Sequence, residues 1–189
     1  CNNAGIAMHG VPLHEIKQAD WDWVIGVNVY GVIHGMNVFV PRMLAAGEEG
    51  HIVNTASTAG LLSASGPYYA SKQGVVCVTE GLYQDLRRRG AKLSASVLCP
   101  GLIRTAIADA ERNRPARFGA TTDVGALPHQ AREARDAFSA ALETGYDPAV
   151  VADAVADAVL QDRFYIVVAQ PAIVERIRVR MQDITLQRN

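Results

Sequence analysis

Tyr68 and Lys72 stand four residues apart in the stretch Gly66-Pro67-Tyr68-Tyr69-Ala70-Ser71-Lys72. On a helix that spacing puts both side chains on one face, one turn apart. A free phenol keeps its proton up to about pH 10, and a neighbouring ammonium favours the phenolate and lowers that value. A phenol so placed can trade a proton with an alcohol or a carbonyl near neutrality. The chain has three lysines, Lys17, Lys72 and Lys92, and six tyrosines. At those counts the pair alone is a weak motif, and its weight depends on what surrounds it.

Ordered elements must position such a pair, and the sequence supplies them in alternation. Trp21, Val24, Ile25, Asn28, Val32, Met36, Phe39 and Met43 recur at three- and four-residue steps, which predicts a helix over 20–46. Asp20 is expected to cap it, and Pro41 to kink it or cut it short. Residues 51–56, centred on Ile52 and Val53, predict a buried strand. A Ser- and Gly-rich loop over 57–67 leads to a helix over 68–89, with Pro67 suited to its first turn and Gly90 to its end. A second strand over 93–98 ends at Cys99-Pro100-Gly101. The Arg-, Ala- and Gly-rich stretch 102–145 is expected to form short helices and a mobile loop. Asp147 and Pro148 open a helix to about 161 as its cap and first residue. A last strand over 164–168 and a final helix over 171–186 complete the chain.

The predicted strands are apolar along their length instead of alternating, the mark of a parallel sheet covered on both faces. The expected class is α/β, with a doubly wound parallel sheet in three layers. Ligands of such sheets sit beyond the carboxyl ends of the strands. The loops after Cys1, at Ser57 and at Pro100-Gly101 all fall there.

Composition narrows the function classes. Hydrophobic residues make up 49% of the 189 and charged residues 20%, enough to fill one core. The formal net charge of −1 gives no pull toward nucleic acid or an anionic membrane. Arg87-Arg88-Arg89 reads as a solvated helix end, where positive charge suits the dipole. No run is expected to be long and apolar enough to span a bilayer. Cys1, Cys77 and Cys99 are too widely spaced for a metal or disulfide pattern, which fits a reduced, cytoplasmic setting. His9, His14, His34, His51 and His129 lack metal spacing, so no metal is expected. Trp21 and Trp23 are expected to pack. The chain opens on Cys1, inside what reads as a strand end, and is expected to be the C-terminal portion of a longer protein.

Five pieces stand in a characteristic order: Asn2-Asn3-Ala4-Gly5; Asn28 in Val27-Asn28-Val29-Tyr30-Gly31; Ser57 in Ile52-Val53-Asn54-Thr55-Ala56-Ser57; Tyr68 with Lys72; and Pro100-Gly101 with Thr105 close behind. In these the chain resembles the short-chain dehydrogenase/reductase family, of the compact kind with one Rossmann-type domain. The likeness covers nearly the whole chain and is weakest over 106–145.

The resemblance implies that Tyr68 is the general acid/base in interconverting a secondary alcohol and a ketone. It implies that Lys72 lowers the Tyr68 pKa and binds the nicotinamide ribose, and that Ser57 holds the substrate oxygen. Asn28 would carry, through its backbone carbonyl, a water that relays protons from Lys72. Asn3, Ala4 and Gly5 would line the cofactor pocket and steady the central sheet. Pro100 and Gly101 would let the backbone pass close to the nicotinamide, and Thr105 would bond its carboxamide or the nearby phosphate. The implied cofactor is NAD or NADP, and the implied assembly a homodimer or homotetramer through the helices over 20–46 and 68–89.

Two departures bear on these roles. The family serine lies about thirteen residues before the tyrosine, whereas Ser57 lies eleven before Tyr68 and Thr55 thirteen. Ser57 is favoured because Thr58-Ala59-Gly60 follows it, with Thr55 as the alternative. Tyr69 has no lysine at four and should point about 100° away from Tyr68. The glycine-rich phosphate loop and the first strands of the family fold are not in this sequence. The segment alone is therefore expected to bind cofactor poorly and to leave a sheet edge prone to association.

Residues 106–145 resemble the family's variable substrate lid. Its alanines, Phe118 and Leu127 suggest an apolar component, while Arg112, Arg114 and Arg117 are read as solvated. Two other functions stay open: a catalytically silent scaffold, and an NAD-dependent epimerase or dehydratase built on the same Tyr/Lys pair.

Overall fold

The structure, a computed structural model, describes residues 1–8, 10–119 and 129–188. His9 and Leu127 lie outside the described residues. Three parallel strands, β1 (Gly50–Thr55), β2 (Leu93–Pro100) and β3 (Tyr165–Val168), form a sheet in the order β1-β2-β3. Gly50 pairs with Leu93 and Thr55 with Leu98; Val97 pairs with Tyr165 and Pro100 with Val168. Asn2 bridges to Asn54 on the other side of β1, its N–H donating to the Val53 carbonyl at 2.8 Å. The opening residues thus add a fourth line of parallel pairing, as the strand-end reading of 1–5 expects.

The sheet is covered on both faces, which is why its strands carry apolar side chains in both directions. On one face α3 (Pro67–Arg88) and α2 (Gly31–Ala46) pack Val75, Val76 and Val32 against Val97 and Cys99. Leu86 of α3 reaches Ile52, Leu93 and Ala95. On the other face α5 (Pro148–Leu160) packs Ala158, Val151 and Val155 on Val53, Leu98 and Ile166. Asp147 caps α5 by accepting from the Ala149 N–H at 2.9 Å, and Pro148 takes the first helical position, both as expected. The last helix, α6, spans Pro171–Thr185.

Five expectations need correction. The long first helix is α1 (Gln18–Ile25) followed by a π-helical turn (Gly26–Tyr30) and then α2. Pro41 lies inside α2 without ending it. Pro41 and Asn37, whose carbonyl loses its usual donor, are both on the exposed side, where water can take the free group. The combined helix Gln18–Ala46 is, by length and composition, apolar enough to cross a membrane, with a mean hydropathy of 1.4 in its most apolar stretch. The expectation that no run is long and apolar enough to span a bilayer is thereby corrected, because the helix continues through Pro41. Within 102–145 the chain forms 3₁₀ turns at Ala106–Asn113 and Ala116–Phe118, the short helices expected there, and then a fifteen-residue helix, α4 (His129–Glu143), longer than expected; residues 120–128, on which much of the mobile-loop expectation falls, lie outside the described residues.

The last two corrections meet at one contact. Asp20 does not cap α1, whose N-cap is Lys17; it is buried within the first turn. Arg114 is not solvated. Its side chain is 6% exposed and pairs with Asp20, with Glu111 at 2.7 Å, and with the face of Trp23, its guanidinium 4.3 Å from the ring centre. This clamp holds residues 106–118 against α1, where Ala110 and Phe118 join Ile6, Trp23 and Val24 in a small core. The second Asp20 oxygen, Oδ2, is buried with no hydrogen-bond partner among the described residues, so the guanidinium is the main compensation for that charge. Removing one partner of a buried pair strands the other. Arg114→Ala should cost about 3 kcal/mol of stability, measured by urea denaturation, and Asp20→Asn with Arg114→Ala together should cost less than the two changes summed.

Candidate active site

The side chains of Ser57, Tyr68 and Lys72 sit past the carboxyl end of a strand or near the start of a helix. β1 ends at Thr55, and the chain turns through Ser57, which caps a 3₁₀ turn (Thr58–Gly60) by accepting from the Ala59 N–H at 3.1 Å. This loop lies flush on α3: a Cβ on Gly60 would stand 2.6 Å from the Lys72 carbonyl oxygen. Gly66, at φ +107, makes the turn into Pro67, a backbone conformation that only glycine adopts freely. Tyr68 and Lys72 then fall on the first two turns of α3, on the face toward the strand ends.

There the structure brings Ser57, Tyr68 and Lys72 together. The hydroxyls of Tyr68 and Ser57 share a hydrogen bond, and Ser57 Oγ also donates to the Pro100 carbonyl at 3.3 Å. Lys72 Nζ lies 5.8 Å from the centre of the Tyr68 ring and donates to the Thr55 carbonyl at 3.0 Å. The main chain of Thr55 therefore anchors the lysine, while Ser57 meets the phenol. That arrangement favours Ser57 over Thr55 as the partner of Tyr68.

The electrostatics differ from the simple expectation. Burial dominates the Tyr68 phenol and raises its pKa above the ordinary value, against the lowering pull of the Ser57 hydrogen bond. The ammonium is not what sets it. Burial also lowers Lys72 to about 8, with the neighbouring Cys99 opposing. Cys99 itself is pushed up to about 12 by burial and stays a neutral thiol.

Asn28 is placed by the π turn, a feature that recurs at functional positions in helices, and is 1% exposed. Its Oδ1 accepts from the Ile6 N–H at 2.9 Å, and its Nδ2 donates to the Ile6 carbonyl at 3.0 Å and to Ser71 Oγ at 2.9 Å. Ser71 in turn donates to the Tyr68 carbonyl at 2.7 Å. The side chain of Asn28 thus ties the opening loop to the turn that carries Tyr68. A Cβ on Gly5 would come within 3.3 Å of Lys72 Nζ and 3.5 Å of Asn28 Oδ1, so Gly5 is where the loop passes the lysine.

Ser57, Tyr68, Lys72 and Gly5 face a cavity of about 920 Å³, and Asn28 lies behind them without lining it. Asn3, Gly5, Ser57, Tyr68, Lys72, Pro100, Gly101 and Thr105 line it; Ala4, exposed, does not. Tyr69 lines it too, with its ring edge-on to Tyr68 at 6.0 Å, although the helical angle points it elsewhere. Gly101 has a packing reason of its own. A Cβ there would meet Gln170 Oε1 at 2.8 Å and the Ala169 Cβ at 3.0 Å, so its bareness serves the junction with β3 and α6. The sequence reading gave α6 no part in the site. Arg180 donates to the Leu61 carbonyl at 2.9 Å, and Gln170 bonds both backbone groups of Leu102, at 3.1 and 2.8 Å. Ile173 and Arg176 of α6 reach the cavity.

The arrangement can hold a carbonyl or alcohol oxygen between two hydroxyls and exchange a proton between that oxygen and a buried phenol. With three lysines in the chain, the Lys72 ε-methylene is separable by carbon-detected NMR. Its titration should centre at about 8; a midpoint at the free-lysine value of about 10.4 would show an amine in contact with bulk water.

Comparison with known proteins agrees with this geometry. Residues 1–116 match the family model described as short chain dehydrogenase. The chain is 36% identical over 168 residues to the C alpha-dehydrogenase of a Sphingobium species, covering 88% of this chain and 52% of that protein. It is 33% identical over 186 residues to the CLA biosynthesis dehydrogenase/reductase of Lactiplantibacillus plantarum, covering 94% of this chain and 63% of that one. The chain thus spans between half and two thirds of the length of these relatives. Among solved structures, a short chain dehydrogenase/reductase from Burkholderia phymatum in complex with NAD superposes with a TM-score of 0.90 at 46% identity, over 100% of this chain and 66% of that one.

Proposed function

Because the chain belongs to the short chain dehydrogenase family, we propose that it interconverts a secondary alcohol and a ketone with NAD or NADP, and that Tyr68 moves the proton. The observation that carries this reading is the hydrogen-bonded pair of Ser57 and Tyr68 hydroxyls on a cavity wall, with Lys72 buried beside them. The residues present suit a nicotinamide nucleotide: a buried amine, the opening loop passing over it at Gly5, and a cavity of cofactor size. A relative of this fold has been solved with NAD. A nicotinamide bound there supplies or accepts the hydride.

The residues of the chain perform the rest. Ser57 offers its hydroxyl to the substrate oxygen and orients the carbonyl toward the phenol. Tyr68, kept protonated by its burial, donates to that oxygen as it gains charge in reduction, and accepts the proton back in oxidation. Lys72, next to the phenol, stabilises the phenolate left behind. Asn28 positions the Tyr68 turn through Ser71, and its backbone carbonyl is the proposed seat of a proton-relay water. Thr105, exposed at the cavity edge, would bond the amide or phosphate of the cofactor. In assembly, the exposed Tyr30, Val38 and Phe39 fit a homodimer or homotetramer formed through the long first helix.

Turnover should be followed by nicotinamide absorbance with a panel of ketones and secondary alcohols. Tyr68→Phe should lower kcat by at least about a hundredfold while cofactor binding, read by nucleotide fluorescence, stays within a few-fold. Ser57→Ala should fall by a similar order and Thr55→Val only a few-fold; the reverse ranking would move the substrate-holding hydroxyl to Thr55. Full kcat in Tyr68→Phe would sink the reading.

A further inference from the structure

The charge on the cavity wall is one-sided. Among the described residues that line it are three cationic side chains, Lys72, Arg112 and Arg176, and no aspartate or glutamate, although the chain as a whole has 18 basic and 19 acidic residues. Two of the three cations are engaged. Lys72 donates to the Thr55 carbonyl. Arg112 donates to the carbonyls of Ala106 and Asp109 and lies 3.7 Å from the Asp109 carboxylate. Arg176 has no hydrogen-bond or ion-pair partner among the described residues.

The placement of Arg176 is built into α6. Ile173, Arg176 and Arg180 recur at three- and four-residue steps and share one face. Arg180 fixes that face against the Ser57 loop through Leu61, and Gln170 fixes the start of the helix against Leu102. The helix is therefore stitched to the Ser57 loop and to the loop after β2, with Ile173 and Arg176 turned into the cavity. Glu175 and Arg178 pair with each other at 2.9 Å and do not line it. Much of the remaining wall is apolar: Leu62, Leu102, Ile103, Leu142 and Val155.

Arg176, exposed and unpaired at the edge of this apolar wall, offers a planar donor fork that matches a planar anion. We propose that Arg176 is a specificity-determining residue that recognises a carboxylate on the substrate, so that the substrate is a keto or hydroxy acid with an apolar body between its two ends. This rests on the alcohol/ketone reading above. A carboxylate is favoured over a phosphate because, among the described residues, Arg176 is the one unpaired cation on this wall, and a single cation matches a monoanion.

The test compares methyl-ketone carboxylates, from levulinate upward in chain length, with their methyl esters. At the best chain length the enzyme should prefer the acid in kcat/KM. Arg176→Gln should cut that preference about tenfold, chiefly through KM, as expected for loss of one charge-assisted contact, and Arg176→Lys should recover part of it. Arg178→Gln, altered outside the cavity, should change nothing. An unchanged acid preference in Arg176→Gln overturns the proposal. So does a rise in cofactor KM shared equally by acids and esters, which would assign the guanidinium to the cofactor pyrophosphate. Calorimetric titration with the same acids and esters reads the subsite without turnover. Equal binding of acid and ester by the unaltered protein overturns it, whereas acid-selective binding lost in Arg176→Gln, with no ketone reduced, would support the subsite and sink the oxidoreductase reading alone.

Discussion

Lys72 donates from Nζ to the carbonyl of Thr55 while only 2% of the residue is exposed, and the geometry of a strand end and two loops follows from keeping that amine inside. A buried ammonium is tolerated only where acceptors and polar atoms replace its water. The end of β1 provides the acceptor. The opening loop crosses at Gly5, where any side chain would press on the amine, and the Ser57 loop seats at Gly60, where one would press on the Lys72 carbonyl. Burial has an electrostatic result as well: it draws the amine down to about 8, close to the range in which proton transfer is useful, while it holds the neighbouring phenol protonated.

The opposite wall is built by a different device. The loop after β2 is short of side-chain bulk at Gly101, which lets β3 and α6 close against it, and Gln170 completes the contact by pairing with both backbone groups of Leu102. The Ser57 loop receives Arg180 from the same helix. One end of the cavity is thus held by the sheet and α3, and the other by a helix that follows the last strand. Between them residues 106–118 are pinned to α1 by Arg114. Each wall has its own source of rigidity, so the walls can differ in chemistry without disturbing the reacting groups.

What was legible in the sequence, and what was not, divides by the range of the interaction. The parallel sheet, α3 with Pro67 at its start, and α5 with Asp147 and Pro148 are written in local periodicity and capping chemistry, and they stand where expected. Ser57, Tyr68 and Lys72 meet because strand ends and helix starts converge in such a sheet. The π turn around Asn28 was hidden, because a one-residue widening leaves the three- and four-residue pattern intact. Arg114 and Asp20 are 94 residues apart, and no local signal marks either as buried. α4 did carry a signal: the run of Ala, Glu and Arg from His129 onward has strong helix propensity, and Phe138 and Leu142 are one turn apart. The expectation for Tyr68 erred in weight, since nearness to a cation was counted and desolvation was not.

The stacking of Arg114 on Trp23 has an optical consequence. The chain contains two tryptophans, and Trp23 is almost wholly buried beneath the guanidinium while Trp21, two residues away, is only half-buried. An indole sealed from water emits at shorter wavelength than a wetted one, and lifting the guanidinium would wet it. The protein therefore carries an intrinsic fluorophore whose colour reports whether the segment around Arg114 is seated, without any label and at a distance from the reacting groups.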